Sequence, residues 1–402
     1  MKLWERKLII VIISALLGFS LIISFCLLPM VQENGLVFKR PQMGSSKNFI
    51  NSEVAKFHIG QRGQYWILYK YIAALNIYTG NESVSLALHG EYTDLIILNA
   101  LIRRWHGPIS LTLFVNGDDF HQAQNIILYL IKCTEFSIKI RWFVTFNFIM
   151  HEDHIWRHIP KSEKDFMSRT VDCINSPFSS HNETYRQQKK LPYPSNMARN
   201  VARQTVSTYY VLSLDLNYLP SAKFIENFLE MVHKLYLDNP LNTLYCLTVF
   251  NASIKTVLPE TKTDLLLYYK KYKKLYLTEE SWRIPYLRSW LTSSNKADGF
   301  SILTTLKHEG LWFPWYVSAN QYEPFADERF YEESFIDRWS HFDLLQALDY
   351  NFAVIDNAFL LHRSLSNTSI NHDIDMRKAM NATDVNYHRK LITMKNLLMN
   401  FM

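Results

Sequence analysis

In the stretch YYVLSLDLNYLPS, Asp215 stops an apolar run and Asn217 follows two places later. A carboxylate and an amide oxygen so spaced can share one hard divalent cation, which takes oxygen ligands and offsets the charge of a departing diphosphate. With Pro220 close behind, the same residues also suit a plain turn at a strand end, the commoner use of Asp-x-Asn. Just upstream, NMARNVARQTV places Arg199, Asn200 and Arg203 three and four apart, on one face of a helix, where they can meet an anion or pair with neighbouring acids.

Other chemistries are poorly provided for. The 402 residues contain only 11 glycines and no Gly-x-Gly-x-x-Gly, Walker loop or Gly-x-Ser-x-Gly elbow, which removes dehydrogenase, kinase and esterase readings. HEDHIWRH, residues 151–158, lacks the His-Glu-x-x-His spacing and reads as a polar loop without a metal. The formal charge of +6 is dispersed, and its local runs, QQKKLPY and YYKKYKKLY, read as solvated helix faces, so no nucleic-acid partner is expected.

The elements that must position Asp215 alternate. SVSLALHG reads as a strand, TDLIILNALIRRW as a helix, ISLTLFVNG as a strand, FHQAQNIILYLIKC as a helix and IKIRWFVTF as a strand. Residues 151–195 read as a long excursion before the helix NMARNVARQTV and the strand YYVLSLD. Further on come a helix at SAKFIENFLEMVHKLY, a strand at TLYCLTVFN, a helix at TDLLLYYKKYKKLYL, aromatic-rich loops, a helix near DRWSHFDLLQALDY and the strand FAVIDNAFLLH. Such alternation predicts a parallel, doubly wound sheet, with Asp215 at the carboxyl end of a buried strand, where open α/β sheets bind ligands.

Ahead of this body, residues 8–28 are 21 residues without a charge, close to the ~20 that cross a bilayer as a helix. The run exceeds the ~7–15 apolar residues of a cleaved signal peptide and is followed by no small-x-small site, so it reads as an uncleaved anchor. Lys2, Arg6 and Lys7 favour a cytosolic N-terminus. The expected division is a cytosolic tail at 1–7, a transmembrane anchor at 8–28, a stem at 29–60 and a lumenal domain at 61–402. Sequons at Asn81, Asn182, Asn251, Asn367 and Asn381 all follow the anchor. Of four cysteines, Cys26 lies in the anchor, so Cys133, Cys173 and Cys246 allow at most one intramolecular disulfide.

Several blocks together resemble the family 49 glycosyltransferases: Trp105-x-Gly107-Pro108-Ile109-Ser110, Tyr193-Pro194 with Arg199-Asn200-x-Ala202-Arg203, Asp215 with Pro220-Ser221, Asp327-Glu328-Arg329-Phe330, and Asn357-Ala358-Phe359-x-x-His362. The resemblance implies an α/β fold, a GT-A Rossmann-like glycosyltransferase domain behind the single N-terminal transmembrane helix. It implies a type II protein of the Golgi membrane with its catalytic domain lumenal, moving glucuronate or N-acetylglucosamine from a UDP-sugar donor to a glycan or glycoprotein acceptor with inversion. By the same resemblance Asp215, Asn217 and His362 would hold Mn²⁺, and Arg199, Asn200, Arg203 and Asp215 would contact the nucleotide. Asp327 or Glu328 would deprotonate the acceptor hydroxyl. Trp312, Phe313, Trp315 and Tyr316 offer sugar-stacking surfaces, though such clusters are more often core. Three departures favour an alternative, a weakened or inactive member acting as a Golgi glycan-binding module: Asn217 replaces the usual second Asp, FIDRWSH replaces a glycine-rich segment, and RSL follows His362 where Pro-His is expected.

A lumenal body carries glycans. Peptide N-glycosidase treatment of the protein expressed in animal cells should lower its apparent mass on a denaturing gel; an unchanged mass would count against lumenal exposure.

Overall fold

The computed structural model describes residues 57–363, apart from 180–182, 236–241, 253–257, 273–283, 294–298, 308–311 and 331–334. The expected anchor at 8–28 and nearly all of the stem lie outside the described residues. Among the described residues no helix is long and apolar enough to cross a membrane.

Strands β1 (His58–Arg62) and β2 (Tyr65–Ile72) form a hairpin, followed by β3 (Gly80–Gly90), α1 (Leu98–Arg104), β4 (Ile109–Phe114), α2 (Asp118–Cys133), α3 (Ser137–Phe143) and β5 (Val144–His151). An excursion with short helices α4 (Glu163–Ser168) and α5 (Tyr185–Lys189) leads to α6 (Ser195–Gln204) and β6 (Thr208–Asp215). Then come β7 (Tyr218–Pro220), α7 (Phe224–Lys234), β8 (Thr243–Ala252), α8 (Lys262–Tyr272), α9 (Leu287–Thr292) and β9 (Ser301–Leu306). The chain continues through β10 (Trp315–Ala319), α10 (Phe335–Ala347) and β11 (Asn351–Arg363).

All eleven strands join one sheet in the order β1-β2-β5-β4-β3-β6-β10-β8-β11-β7, with β9 also on β11. The expected parallel arrangement holds for β5-β4-β3-β6 and for β8 with β11, while β10 runs antiparallel between β6 and β8. The sheet is therefore mixed. The segment WYVSA, read as aromatic loop, supplies that reversing strand because four of its five residues are buried. IKIRWFVTF, expected as a strand, is strand only from Val144 onward. Its first half is helix α3, in which only Ile140 is buried while Ile138 and Trp142 are 70% and 43% exposed, so the alternation never becomes a strand face.

Parallel strands covered on both faces read as unbroken apolar runs. Residues 83–90 of β3 and all of β4 are buried accordingly. Helix α6 covers one face with Met197, Ala198 and Val201, packed with Tyr65, Ile67, Phe114, Ile149 and Tyr193, while Ala202 meets Ala87 and Val211. Strand β11 changes partners along its length: β9 pairs with residues 352–356 and β7 with 360–362. Between those stretches Asn357 takes the left-handed conformation at φ +68°, and β11 advances five residues, Val354 to Phe359, while β8 advances two, Cys246 to Thr248.

Cys133, at the end of α2, is disulfide-bonded to Cys173 in the excursion, leaving Cys246 a buried thiol. Lys132 donates to the carbonyls of Met167 and Arg169 at 2.8 and 2.7 Å, holding the same junction. Closing a loop with a sequence separation of 40 restricts the unfolded chain by about 4 kcal/mol in the chain-entropy description. A Cys133→Ser/Cys173→Ser double variant should accordingly lose up to about 4 kcal/mol in a urea titration monitored by circular dichroism; an unchanged midpoint would mean the excursion is held without the bond.

Candidate functional site

Asp215 lies at the carboxyl end of β6, beside the end of β3. The parallel register pairs it with His89, and the next backbone amide, Leu216, donates to the His89 carbonyl at 3.0 Å. The His89 ring is buried, with Nε2 3.0 Å from Asp215 Oδ1 and Nδ1 3.0 Å from the Tyr193 hydroxyl. Gly90 keeps this corner tight: a Cβ there would meet Asp94 Oδ2 at 2.9 Å and Leu216 Cβ at 3.3 Å. Burial would raise the Asp215 carboxyl, but the neighbouring His89, then the more distant Arg199 and Arg338, outweigh it and hold the group at about 2. Asp215 is ionised at neutral pH.

Asn217 follows in the turn to β7, its carbonyl accepting from the Arg363 amide at 2.9 Å. Its side-chain Nδ2 is 3.0 Å from His362 Nε2, and His362 Nδ1 is 3.0 Å from Asn251 Oδ1 at the end of β8. This arrangement suits the tautomer in which Nδ1 carries the proton and Nε2 the lone pair. The Tyr218 ring packs on His362 with centroids 4.9 Å apart and on Trp315 at the same separation, and Arg338 covers Trp315 at 4.2 Å. Asp215, Asn217 and His362 thus gather at the joined ends of β6, β7 and β11.

These residues suit a hard cation in donor type: a carboxylate, an amide oxygen and an imidazole nitrogen. Asn217 Oδ1 is buried without a hydrogen-bond partner, as an oxygen reserved for an ion would be. Among the described residues, no group of three or more His, Cys, Asp or Glu side chains is placed to hold a metal. Asn217 would therefore have to serve as a ligand.

The other expected residues divide. Arg199 is buried, donates to Asn196 Oδ1 at 2.7 Å, and keeps a buried Nε without a hydrogen-bond partner. Asn200 and Arg203, expected at the nucleotide, spend their polar atoms on the loop after β10. Asn200 Nδ2 donates to the Ala326 carbonyl at 2.7 Å and to Glu328 Oε1 at 2.9 Å, while its Oδ1 accepts from the Ala326 amide at 3.0 Å. Arg203 donates to the carbonyls of Pro324 and Glu323, each at 2.9 Å, and lies over the Phe325 ring. Here a helix face that reads as anion-binding is a clamp on a loop.

That loop carries both candidate bases. Asp327 is held by the Arg329 guanidinium through Nε at 2.9 Å, and its carbonyl accepts from Asn196 at 3.0 Å. Glu328 pairs with Arg62 of β1, which also reaches Gln204. A concavity of about 410 Å³ is lined by Arg62 and its neighbours in β1 together with Tyr69, Lys70, Gln204 and Thr205. It lies near the start of β6, whereas Asp215 closes the strand. Of the aromatic cluster, Trp312 and Trp315 are buried and Phe313 packs on Phe342, so core packing dominates there.

Sequence patterns gave no sign of Glu323. This side chain, 3% exposed, meets Arg203 Nη1 at 3.3 Å, His341 Nε2 at 3.0 Å, the Tyr316 hydroxyl at 2.7 Å and the Ser318 hydroxyl. Burial pushes its carboxyl up, but Arg203 and then His341 and Ser318 hold it down at about 2. Burial pushes His341 down, against the pull of Glu323. A lone acid in NQYEPF carries no periodic signal, and its partners lie on three other elements.

The fold is a mixed α/β sheet, and its ionised Asp215 stands at the carboxyl ends of the parallel strands β3 and β6, where open α/β sheets bind ligands. The chain belongs to the family described as glycosyl-transferase for dystroglycan, which matches residues 83–397. It is a glycosyltransferase. Similar proteins include beta-1,4-glucuronyltransferase 1 of Danio rerio, 27% identical over 294 residues, covering 70% of this chain and 67% of that protein. The Homo sapiens protein of the same name is 23% identical over 305 residues, covering 70% and 68%. Xylosyl- and glucuronyltransferase LARGE1 of Danio rerio is 22% identical over 322 residues, which are 76% of this chain but only 34% of that protein.

Replacing Glu323 leaves Arg203 buried without its counter-charge, so Glu323→Gln should cost about 3–5 kcal/mol in a chemical denaturation at neutral pH. The carboxyl is held below its ~4.3 unfolded value, so its contribution is complete above that pH and drains as pH falls toward 2. His341, buried and neutral, gains a proton on unfolding in acid, so it acts in the same direction. The variant should therefore show a shallower acid loss of stability than the parent; parallel acid limbs would refute the assignment.

Proposed function

We propose that the protein is a metal-assisted, inverting glycosyltransferase with a GT-A fold that moves a sugar from a UDP donor to a glycan acceptor. The observation that carries this reading is the ionised Asp215 at the strand end, with Asn217 and His362 hydrogen-bonded beside it. Asp215, Asn217 and His362 would hold a divalent ion such as Mn²⁺, which when bound supplies charge neutralisation to the leaving diphosphate. Arg199 and Arg338 add positive charge near Asp215 and so favour the same anion. The acceptor hydroxyl would lose its proton to Asp327, which pairs with Arg329, or to Glu328, which pairs with Arg62. The names of these relatives favour glucuronate as the donor sugar over N-acetylglucosamine. The 8–28 segment and the sequons support a type II Golgi protein whose described body is lumenal.

One observation favours a second reading, a glycan-binding module with little turnover. Asn217 brings no charge to the cation, and its amide already satisfies His362. Calorimetric titration of the full-length protein in detergent with UDP, with and without Mn²⁺, tests the site. Mn²⁺-dependent binding that disappears in Asp215→Ala is expected, and UDP release from UDP-glucuronate would separate enzyme from module. Equal UDP affinity with and without Mn²⁺ would remove the metal from the proposal.

A further inference from the structure

We propose that His89 is a positioning residue that fixes which oxygen of Asp215 faces the ligand, an inference that rests on the metal-site reading above. Three observations converge. Ladder register alone brings His89 and Asp215 side by side, because the ends of β3 and β6 pair these two residues. Asp215 Oδ1 and His89 Nε2 are both buried and have no well-aligned hydrogen-bond partner, yet they lie 3.0 Å apart, so each is the other's nearest satisfaction. Finally, the Tyr193 hydroxyl at Nδ1 fixes the ring from its other side. With that hydroxyl donating to Nδ1, the ring proton sits on Nε2, which lies 3.0 Å from Oδ1.

The consequence is directional. Oδ1 turns inward to the imidazole, and Oδ2 remains for an incoming cation on a side chain that is 31% exposed. Asp94 adds a reason for such a restraint. It crowds the same corner, close to where Gly90 would carry a Cβ, and interacts unfavourably with the charge of Asp215. Hydrogen-bonded partners of metal ligands act this way in general, and losing one typically weakens metal binding about 10–100-fold.

Electron paramagnetic resonance of Mn²⁺ in the presence of UDP measures bound metal directly, without turnover, on the full-length protein in detergent. His89→Ala should weaken Mn²⁺ binding about 10–100-fold. His89→Gln, whose amide nitrogen reaches the same point, should recover most of that loss, and Tyr193→Phe should fall between. Melting temperatures of the three variants are recorded alongside. A merely structural histidine would lower melting in both His89 variants without separating their Mn²⁺ affinities, and that result overturns the inference. So does parent-like affinity in His89→Ala; should that variant fail to fold, indistinguishable parent, His89→Gln and Tyr193→Phe spectra with altered melting alone do the same. Parent protein that binds no Mn²⁺ brings down the metal-site reading as well, which distinguishes the two failures.

Discussion

Glu323 is 3% exposed and ionised, and a carboxylate in that position is tolerated only while its partners stay in place. Those partners come from α6, β10 and α10, so a single buried charge ties together elements up to 120 residues distant in sequence. With Asn200 gripping Ala326 and Glu328, the loop after β10 is referenced to α6, and α6 is referenced to the sheet through Met197, Ala198 and Val201. The acids at 327 and 328 take their placement from this chain of contacts. Helix α6 can serve both sides because its sheet-facing residues are small or apolar and its loop-facing residues recur three and four apart.

Charge is distributed unevenly around Asp215. One carboxylate faces an imidazole and the fields of two guanidinium groups, and its partner in the turn is a neutral amide. In the proposed reaction, one negative ligand fewer loosens the grip on a cation, while the arginines strengthen direct attraction for phosphate. The balance shifts from metal toward protein.

How much of this could be read from sequence depended on whether the signal was local. The apolar run ending at Asp215 announced a buried strand with a polar residue at its carboxyl end, and residues 208–215 form that strand. Asn200 and Arg203 were visible as a helical face, but what the face meets was not, because the Ala326 amide and the Glu323 carbonyl and carboxylate approach from more than 100 residues away. Strand β10 hid among aromatics, since Trp and Tyr mark both core strands and sugar platforms. His89 ends a strand in SVSLALHG with no spacing rule to distinguish it; only the ladder register brings it to Asp215.

Strand β11 is buried without a break from Phe352 to Leu361, so neither of its faces has an alternation of apolar and polar residues to hold it in step. Its phase is set instead by the irregular segment around Asn357, where the left-handed residue lets the strand change neighbours. Because side chains in a strand alternate faces, loss or gain of one residue here would turn His362 to the opposite side of the sheet. Hydrophobic burial beyond this segment would hardly register the change, since Ala358, Phe359, Leu360 and Leu361 put apolar residues on both faces. Length variation in this short segment is thus a route by which descendants of such a gene could keep a folded protein and lose its histidine from the site, leaving every site residue still spelled out in the sequence.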